Sequence, residues 1–354
     1  MSPVIKSGAI HIAGRPVGPG QPPYIVAELS ANHGGNLERA LAVMTAAKEA
    51  GADAIKLQTY TADTITIDHD GPGFTIEGGL WHGRRLYELY EEAHTPWDWH
   101  AALFAKGRKL GIPVFSTSFD STAVDFLEQF DPPAHKIASF EMVDLPLIRK
   151  VVATGRPVIM STGMASAEEI AEAVDVFRSA GGRELVLLHC VSGYPTPAEQ
   201  TNLRRIPALA SAFECPVGLS DHTLGTDVAV AAIALGACLI EKHFTLRRAD
   251  GGLDATFSLE PDELRRLVEG TRTAFAALGS GEPVRSDVES GSKVFRRSIY
   301  AVRDIAAGEL MTESNVRIIR PGYGLPPRDL PRVFGRRARR AIARGTALSW
   351  DLIE

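Results

Sequence analysis

Beyond Tyr24 the chain alternates between two hydrophobic rhythms: short continuous apolar runs, and longer stretches in which apolar positions return at helical spacing. The first kind reads as strands buried on both faces, as in a parallel sheet. The second reads as amphipathic helices packed over them. The pattern predicts strands at 24–28, 54–59, 113–116, 135–138, 157–161, 185–190, 217–220 and 238–242. It predicts helices at 37–50, 97–109, 121–129, 145–153, 167–180, 227–235 and 262–278, with 197–213 less regular. Gly51 and Gly236 stand where a helix gives way to the next strand, the usual place of a C-terminal glycine. Eight such units in about 260 residues predict an α/β fold, the closed (β/α)8 TIM barrel.

The flanks define the remaining organisation. Residues 1–20 alternate polar and apolar around Gly14, which predicts a hairpin plugging the bottom of a barrel spanning 21–279. Residues 60–94 interrupt the repeat after a strand's C-terminal end, and an insertion of this length reads as a substrate-covering loop. The polar stretch 280–297 reads as a flexible linker; a coil of that length spans roughly 25 Å, enough to reach a neighbouring subunit. Residues 298–354 form a small C-terminal domain, with a strand-like RSIYAVRDI, a turn at Ala307 and Gly308, and a short helix expected at 312–316. Its apolar content is low for an independent core, so it is expected to dock on something.

Composition narrows the class. The chain is 45% hydrophobic and 23% charged with a formal net charge of -5, ordinary for a soluble globular protein and against general nucleic-acid binding. The arginine-rich run 332–345 holds a single aromatic, Phe334, and reads as a solvated face. The start shows no charged segment followed by an apolar one, and the longest apolar stretch, 228–240, is too short and too rich in Ala and Gly to span a bilayer. Cys190, Cys215 and Cys238 are odd in number and read as reduced core residues of a cytoplasmic protein.

Polar residues gather where the predicted strands end, which in a barrel is the catalytic face. They are Glu28, Ser30, Asn32 and His33; Lys56, Gln58 and Thr59; Ser116, Thr117 and Ser118; Lys136, Ser139 and Glu141; Ser161 and Thr162; Ser192 and Tyr194. The last two strands end in Ser220, Asp221 and His222, and in Glu241, Lys242 and His243. Side chains alternate along a strand, so Ser220 and His222 share one face, as do Glu241 and His243. One strand-end histidine is ordinarily structural, but two converging from adjacent strands beside carboxylates can bind a divalent metal. Lys56 lies inside the apolar run AIKLQTY, and a buried lysine needs a partner. Two lysines among hydroxyl groups make an anion pocket for phosphate, carboxylate or both.

Other positions have plainer readings. Ser118 and Ser166 are expected to cap the next helix, and Cys190 to serve packing. Asp254, in a glycine-rich segment, is either a turn residue or part of the site, given its closeness to the eighth strand. Arg320 precedes Pro-Gly, where a loop tip can present it to a partner's anionic pocket.

The segments IVAELSANHGGN, AGADAIKLQTYTADTITID, EGGLWHGRRLYELYEEAHTPWDWH, KIASFEMVDLPLI, MSTGMAS, GLSDHT, IEKHFTL, LDATFSLEP, RRSIYAV and IRPGYGLPP, in this order, resemble the bacterial sialic acid synthases. AELSANH, GLWHGRRLYELY and IRPGYGL resemble the pseudaminic acid branch in particular. The likeness runs from about Tyr24 to the end, and the last segment is similar to the family's antifreeze-like (SAF) domain. It implies a metal-dependent condensation of phosphoenolpyruvate with an open-chain aminosugar aldehyde, here 2,4-diacetamido-2,4,6-trideoxy-L-altrose, releasing phosphate by C–O cleavage. His222 and His243 would hold the cation, Mn2+ in the family with Mg2+ or Co2+ as alternatives. Lys56, Lys136, Ser161 and Ser220 would cradle phosphoenolpyruvate, with Gln58, Ser139, Ser192 and Tyr194 as neighbours. Glu28 and Glu141 would move protons, Glu241 would act electrostatically, and Asp254 would touch the sugar. Arg320 would come from the other subunit of a domain-swapped homodimer. Many relatives have Asn at the positions of Ser192 and Tyr323, so contacts there do not transfer directly from neuraminate synthases.

Three other readings stand beside this one. A neuraminate or legionaminate precursor would keep the chemistry and change the sugar. A Schiff-base aldolase would use Lys242, Lys136 or Lys56 as its nucleophile. A non-catalytic carbohydrate- or partner-binding protein would need only the small domain and the arginine run.

Overall fold

The computed structural model describes residues 8–282 and 286–354; positions 1–7 of the predicted hairpin and 283–285 of the predicted linker lie outside the described residues. The chain divides into two compact units, Met1–Gly279 and Ser280–Glu354. In the first, hairpin strands β1 (Ile10–Ile12) and β2 (Arg15–Val17) precede eight parallel strands. These are β3 (Tyr24–Glu28), β4 (Ala54–Thr59), β5 (Val114–Ser118), β6 (His135–Ile137), β7 (Val158–Ser161), β8 (Leu185–Cys190), β9 (Val217–Asp221) and β10 (Leu239–His243). They close into a TIM barrel in which β10 pairs with β3. Every predicted strand is present, with ends shifted by a residue or two; β5 extends to Ser118 and β10 takes in His243.

Alternation explains both faces of the wall. Outward residues such as Ile25, Ile55, Leu57, Leu187 and Ile240 join helix residues in one large core. Inward residues near the strand starts (Val26, Ala54, Phe115, Ile159, Val186, Leu188 and Leu239) form a second, apolar core. Ile10, Ile12 and Val17 of the hairpin belong to that second core, so the hairpin closes the N-terminal end of the barrel. Toward the C-terminal ends the inward positions change to Glu28, Lys56, Thr117, Lys136, Ser161, Ser220 and Glu241, all buried. The bottom of the barrel is packed; the top is polar.

Local signals account for most helix ends. Asn36, Asp120, Asp144 and Ser166 cap helices Leu37–Ala50, Ser121–Glu128, Leu145–Val152 and Ala167–Ser179 by accepting first-turn N–H groups. Ser166 thus caps as expected. Ser118 does not: Asp120 takes that role, and Ser118, drawn into β5, meets His135 Nδ1 at 3.3 Å. The less regular stretch holds a helix, Arg205–Phe213. Its Pro207 obscures the pattern, yet proline is tolerated in a first turn, where N–H groups lack helical partners. The stretch expected as one helix at 97–109 begins with a 3-10 turn, Trp97–Trp99, before the α-helix His100–Leu110.

The insertion folds into helices Ala62–Ile65 and Leu86–Ala93 with a bridge between Thr75 and Arg85. Arg85 pairs with Asp68, Asp70 and Glu88 and ties its base together.

The second unit pairs β11 (Ser298–Ala301) with β12 (Val316–Ile319), antiparallel. Contrary to expectation it has its own core, which includes Ile299, Ile305, Met311, Val316, Val333, Ile342, Leu348 and Ile353. The helix expected at 312–316 is instead a turn in which Asn315 Oδ1 accepts the Thr312 N–H at 2.8 Å, and Val316 opens β12. The described part of the expected coil also holds helical turns, Asp287–Ser290 and Gly291–Phe295. The arginine run is exposed as expected, but Arg337 and Arg339 also donate to backbone carbonyls of Gly308 and Ile353, each at 2.7 Å. The three cysteines are free and buried. Among the described residues no helix is long and apolar enough to cross a membrane.

Outside the barrel wall, Lys242 Nζ donates to Asp221 Oδ2 and to the Thr223 carbonyl, both at 2.6 Å, with both side chains buried. This places Lys242 away from the inner site. Lys242→Met should lower stability by about 3 kcal/mol by stranding the Asp221 carboxylate, and the double change with Asp221→Asn should recover part of it. Denaturant melts of the three variants check this.

Candidate active site

The site begins with a lysine that the barrel buries. Lys56 Nζ lies 2.5 Å from Glu28 Oε2 and 3.3 Å from Glu241 Oε1, and donates to Thr117 Oγ1 at 3.1 Å. Burial works against its charge, but Glu241 and Glu28 outweigh that and hold the ammonium above its ordinary pKa. The carboxylates divide in response. Burial pushes Glu28 up to about 7 against the pull of Lys56. Burial also opposes charge on Glu241, but Lys56 and Lys136 hold it below the usual range, and Ser220 Oγ donates to it at 3.0 Å.

Beside this triad, Lys136 Nζ donates to Ser161 Oγ and to the Ile137 carbonyl, both at 2.7 Å. Burial lowers its pKa to about 8, so it is still mostly charged at neutral pH. Two ammonium groups with hydroxyl donors at the floor of a closed barrel suit a dianionic ligand.

Above the floor lies a cavity of about 740 Å3. Ser30, Gln58, Ser139, Glu141, Ser192, Tyr194, His243 and Asp254 line it, so eight of the residues singled out in the sequence meet here. Ser139 and Ser192 hydroxyls are 2.9 Å apart. Burial raises Glu141 to about 7, and its Oε2 has no hydrogen-bond partner. The insertion contributes Ile65, Ile76, Leu80, Trp81, Leu89 and Tyr90 to the wall, as a covering loop should. Trp81 Nε1 donates to the Leu253 carbonyl at 3.2 Å, and its ring meets Tyr194 at 5.7 Å.

His222 and His243 converge as the strand register requires, their ring centroids 5.5 Å apart. His222 Nδ1 lies 2.9 Å from the Val191 carbonyl, which can only accept, so this nitrogen holds a proton; burial opposes charge on the ring, but Cys190 and that carbonyl outweigh it and hold its pKa above the ordinary value. Burial, with the charge of His222 added, holds His243 well below its ordinary pKa and therefore neutral. Its Nδ1 is buried without a hydrogen-bond partner, 3.7 Å from Asp254 Oδ2. Two converging imidazoles with a carboxylate at hand offer nitrogen donors that fit a divalent cation of borderline softness. Among the described residues no group of three or more His, Cys, Asp or Glu is arranged for a metal, so the protein's share would be the two imidazoles.

Some residues fall elsewhere. Asn32 and His33 have structural roles: Asn32 Nδ2 donates to the Phe244 carbonyl at 3.0 Å, and His33 Nδ1 accepts the Gly35 N–H at 3.1 Å. Arg320 belongs to the second unit, exposed just beyond β12. Conversely, Thr117 and Ser30 had no assigned role, yet Thr117 contacts Lys56 and Ser30 bonds Asp254. Both stood among the polar strand-end residues; strand alternation from Phe115 gives Thr117 its inward place, and only the tertiary fold gives Ser30 its partner.

Residues 43–283 match the NeuB family and residues 296–354 the SAF domain. The chain is 46% identical over 325 residues to a pseudaminic acid synthase of Campylobacter jejuni, covering 92% of this chain and 95% of that protein. It is 42% identical over 335 residues to a pseudaminic acid synthase of Helicobacter pylori, covering 94% and 98%. The spore coat polysaccharide biosynthesis protein of Bacillus subtilis superposes with a TM-score of 0.67 at 36% identity, covering 98% of this chain and 99% of that one.

Lys136→Met should weaken binding of inorganic phosphate at least tenfold, because it removes a charged donor from a buried site. Lys242→Met should leave it unchanged; isothermal titration of both variants reads the difference.

Proposed function

The chain belongs to the NeuB family, and from that membership we propose that it is a pseudaminic acid synthase. It condenses phosphoenolpyruvate with 2,4-diacetamido-2,4,6-trideoxy-L-altrose to give a nine-carbon nonulosonic acid and phosphate. The observation that carries the proposal is the pairing of two buried lysines with two buried, converging histidines at the polar end of the barrel. A phosphorylated enol needs the first pair, and an aldehyde to be polarised needs the second.

In this reading Lys136, Ser161, Lys56 and Ser220 hold the phosphate and carboxylate of phosphoenolpyruvate. Gln58, Ser139, Ser192, Tyr194 and Asp254 orient the aldehyde. His222 and His243 would hold a divalent cation, Mn2+ by preference, which would supply Lewis acidity to the aldehyde. The residues then govern proton traffic. C3 of the enol forms the new C–C bond with the aldehyde carbon, whose oxygen takes a proton from Glu28, protonated at neutral pH in part of the molecules. Water adds to the cationic C2, and Glu141 accepts its proton. The C2–O bond to phosphate then breaks as the ketone forms, and the remaining hydroxyl proton leaves with the phosphate. Glu241, kept ionised, offsets the positive charge at C2.

The sugar is supported by the wall of the cavity as well as by the relatives. Ile65, Ile76, Leu80 and Leu89 face the space, and Leu80 is 45% exposed. Hydrocarbon there suits a methyl group, or an amide's methyl, better than a hydroxyl that would lose its water without a new partner. A neuraminate or legionaminate precursor is the alternative. A Schiff-base route fits less well, since Lys56 is clamped between two carboxylates and Lys242 is turned out of the barrel.

The proposal extends to a domain-swapped homodimer in the cytoplasm. Phe140, Val143, Met164 and Leu224, on loops after three different barrel strands, are exposed at the catalytic end. Apolar side chains so placed suit a cover, and Arg320 of a second copy would reach the sugar with it. Three buried free thiols suit a reducing compartment.

Phosphate release from phosphoenolpyruvate with Mn2+ should occur with the altrose, much less with N-acetylmannosamine or the legionaminate precursor, and stop with chelator. Turnover with another sugar would move the protein to that branch, and none with any would overturn the enzyme reading. Glu141→Gln should lower kcat about 100-fold. Because burial raises Glu141 to about 7, its base form is lost as pH falls through that value. The wild-type rate should therefore decline on that acid limb, and the variant's should not.

A further inference from the structure

The turn after β3 holds a residue whose backbone is disfavoured. Ser30 has φ 45°, in the left-handed region that a residue with a Cβ avoids. Such a conformation persists where the surroundings over-determine it, and these cluster at functional sites. Ser30 is buried at the edge of the cavity and makes two hydrogen bonds. Its backbone N–H turns back to donate to Glu28 Oε1 at 2.9 Å, and its hydroxyl donates to Asp254 Oδ2. The first bond takes up the leading N–H of the 3-10 turn Ser30–His33; the second caps nothing, and Asn36 caps the α-helix beyond.

The segment bearing Asp254 is held to the same turn from a second side. Asn32 Nδ2 donates to Ser258 Oγ at 2.8 Å, and Ser258 Oγ donates to the Asp254 carbonyl at 2.7 Å. Asp254 is therefore fixed through its main chain by Asn32 and Ser258, and through its carboxylate by Ser30. A glycine at position 30 would adopt the left-handed turn without strain and keep the N–H bond to Glu28. What serine adds is the hydroxyl on Asp254.

We infer that Ser30 is a positioning residue for the aldehyde: its hydroxyl orients the Asp254 carboxylate toward the sugar while its strained turn sets the place of Glu28. The inference rests on the cavity being the sugar site.

The test is steady-state kinetics and melting of the full chain with Ser30→Gly and Ser30→Ala. Both variants lose the hydroxyl, so both should raise KM for the aldehyde about tenfold while KM for phosphoenolpyruvate stays within about twofold. Only glycine relieves the turn, so Ser30→Gly should melt ~3 °C above Ser30→Ala, the reverse of the usual order. An unchanged aldehyde KM, a parallel rise for both substrates, or Ser30→Gly melting at or below Ser30→Ala would overturn the inference. Wild-type protein inactive with every aldehyde would bring down the synthase reading and this one with it; active wild type with unaffected variants would bring down this one alone.

Discussion

A buried ammonium sets the terms for this barrel. Lys56 sits between Glu28 and Glu241, and the three come from β4, β3 and β10. β3 and β10 are the strands that meet when the sheet closes on itself. The charges therefore lie across the closure seam, and the site exists only once the first and last strands are paired. Taking Lys56 away would leave two buried carboxyls without the cation they share. Counting Lys136, the floor holds two cations and two carboxyls. With Glu28 partly protonated the floor is net positive, the state in which it can accept a dianion.

The register of one strand separates structure from chemistry. Along β10, Glu241 and His243 point inward while Lys242 points outward to Asp221; along β9, Ser220 points inward and Asp221 outward. A slip of one residue would exchange the site for the ion pair. The outward pair gives that register a physical penalty for error, since Lys242 would otherwise enter a site already holding two lysines. The packed lower half of the barrel, closed by the hairpin, supplies the rigidity against which such polar groups can be held.

How much of this the sequence discloses depends on how local each signal is. Strand and helix order was legible because apolar runs and helical spacing repeat eight times, and Lys56 stood out as a charge within such a run. Both histidines were legible through strand alternation. The helix Arg205–Phe213 was obscured by Pro207, and the C-terminal turn at Asn315 looked helical because its side chain, not a helix, takes up the Thr312 N–H. The core of the small unit was underestimated because its apolar residues are scattered over 299–353 at no fixed spacing and meet only in three dimensions. Ser30 was visible as a polar strand-end residue, but its left-handed φ depends on Glu28 and on Asp254, 224 residues away.

The two ends of the cavity make different demands, and different parts of the chain meet them. The floor is built from strand residues, whose positions are fixed by the sheet ladder to within a hydrogen bond. The wall is built from an insertion tied down by Arg85 and by the Trp81 indole, and from the Asp254 segment tied to the Ser30 turn. Binding a phosphorylated three-carbon unit requires charges that do not move, which the ladder provides. Discriminating among sugars requires a surface that can change without disturbing those charges, which loops provide. Substitutions at Ile76 or Leu80 can therefore redirect the choice of aldehyde while the phosphate-releasing chemistry below remains intact, whereas no substitution at Lys56 is separable from the closure of the barrel.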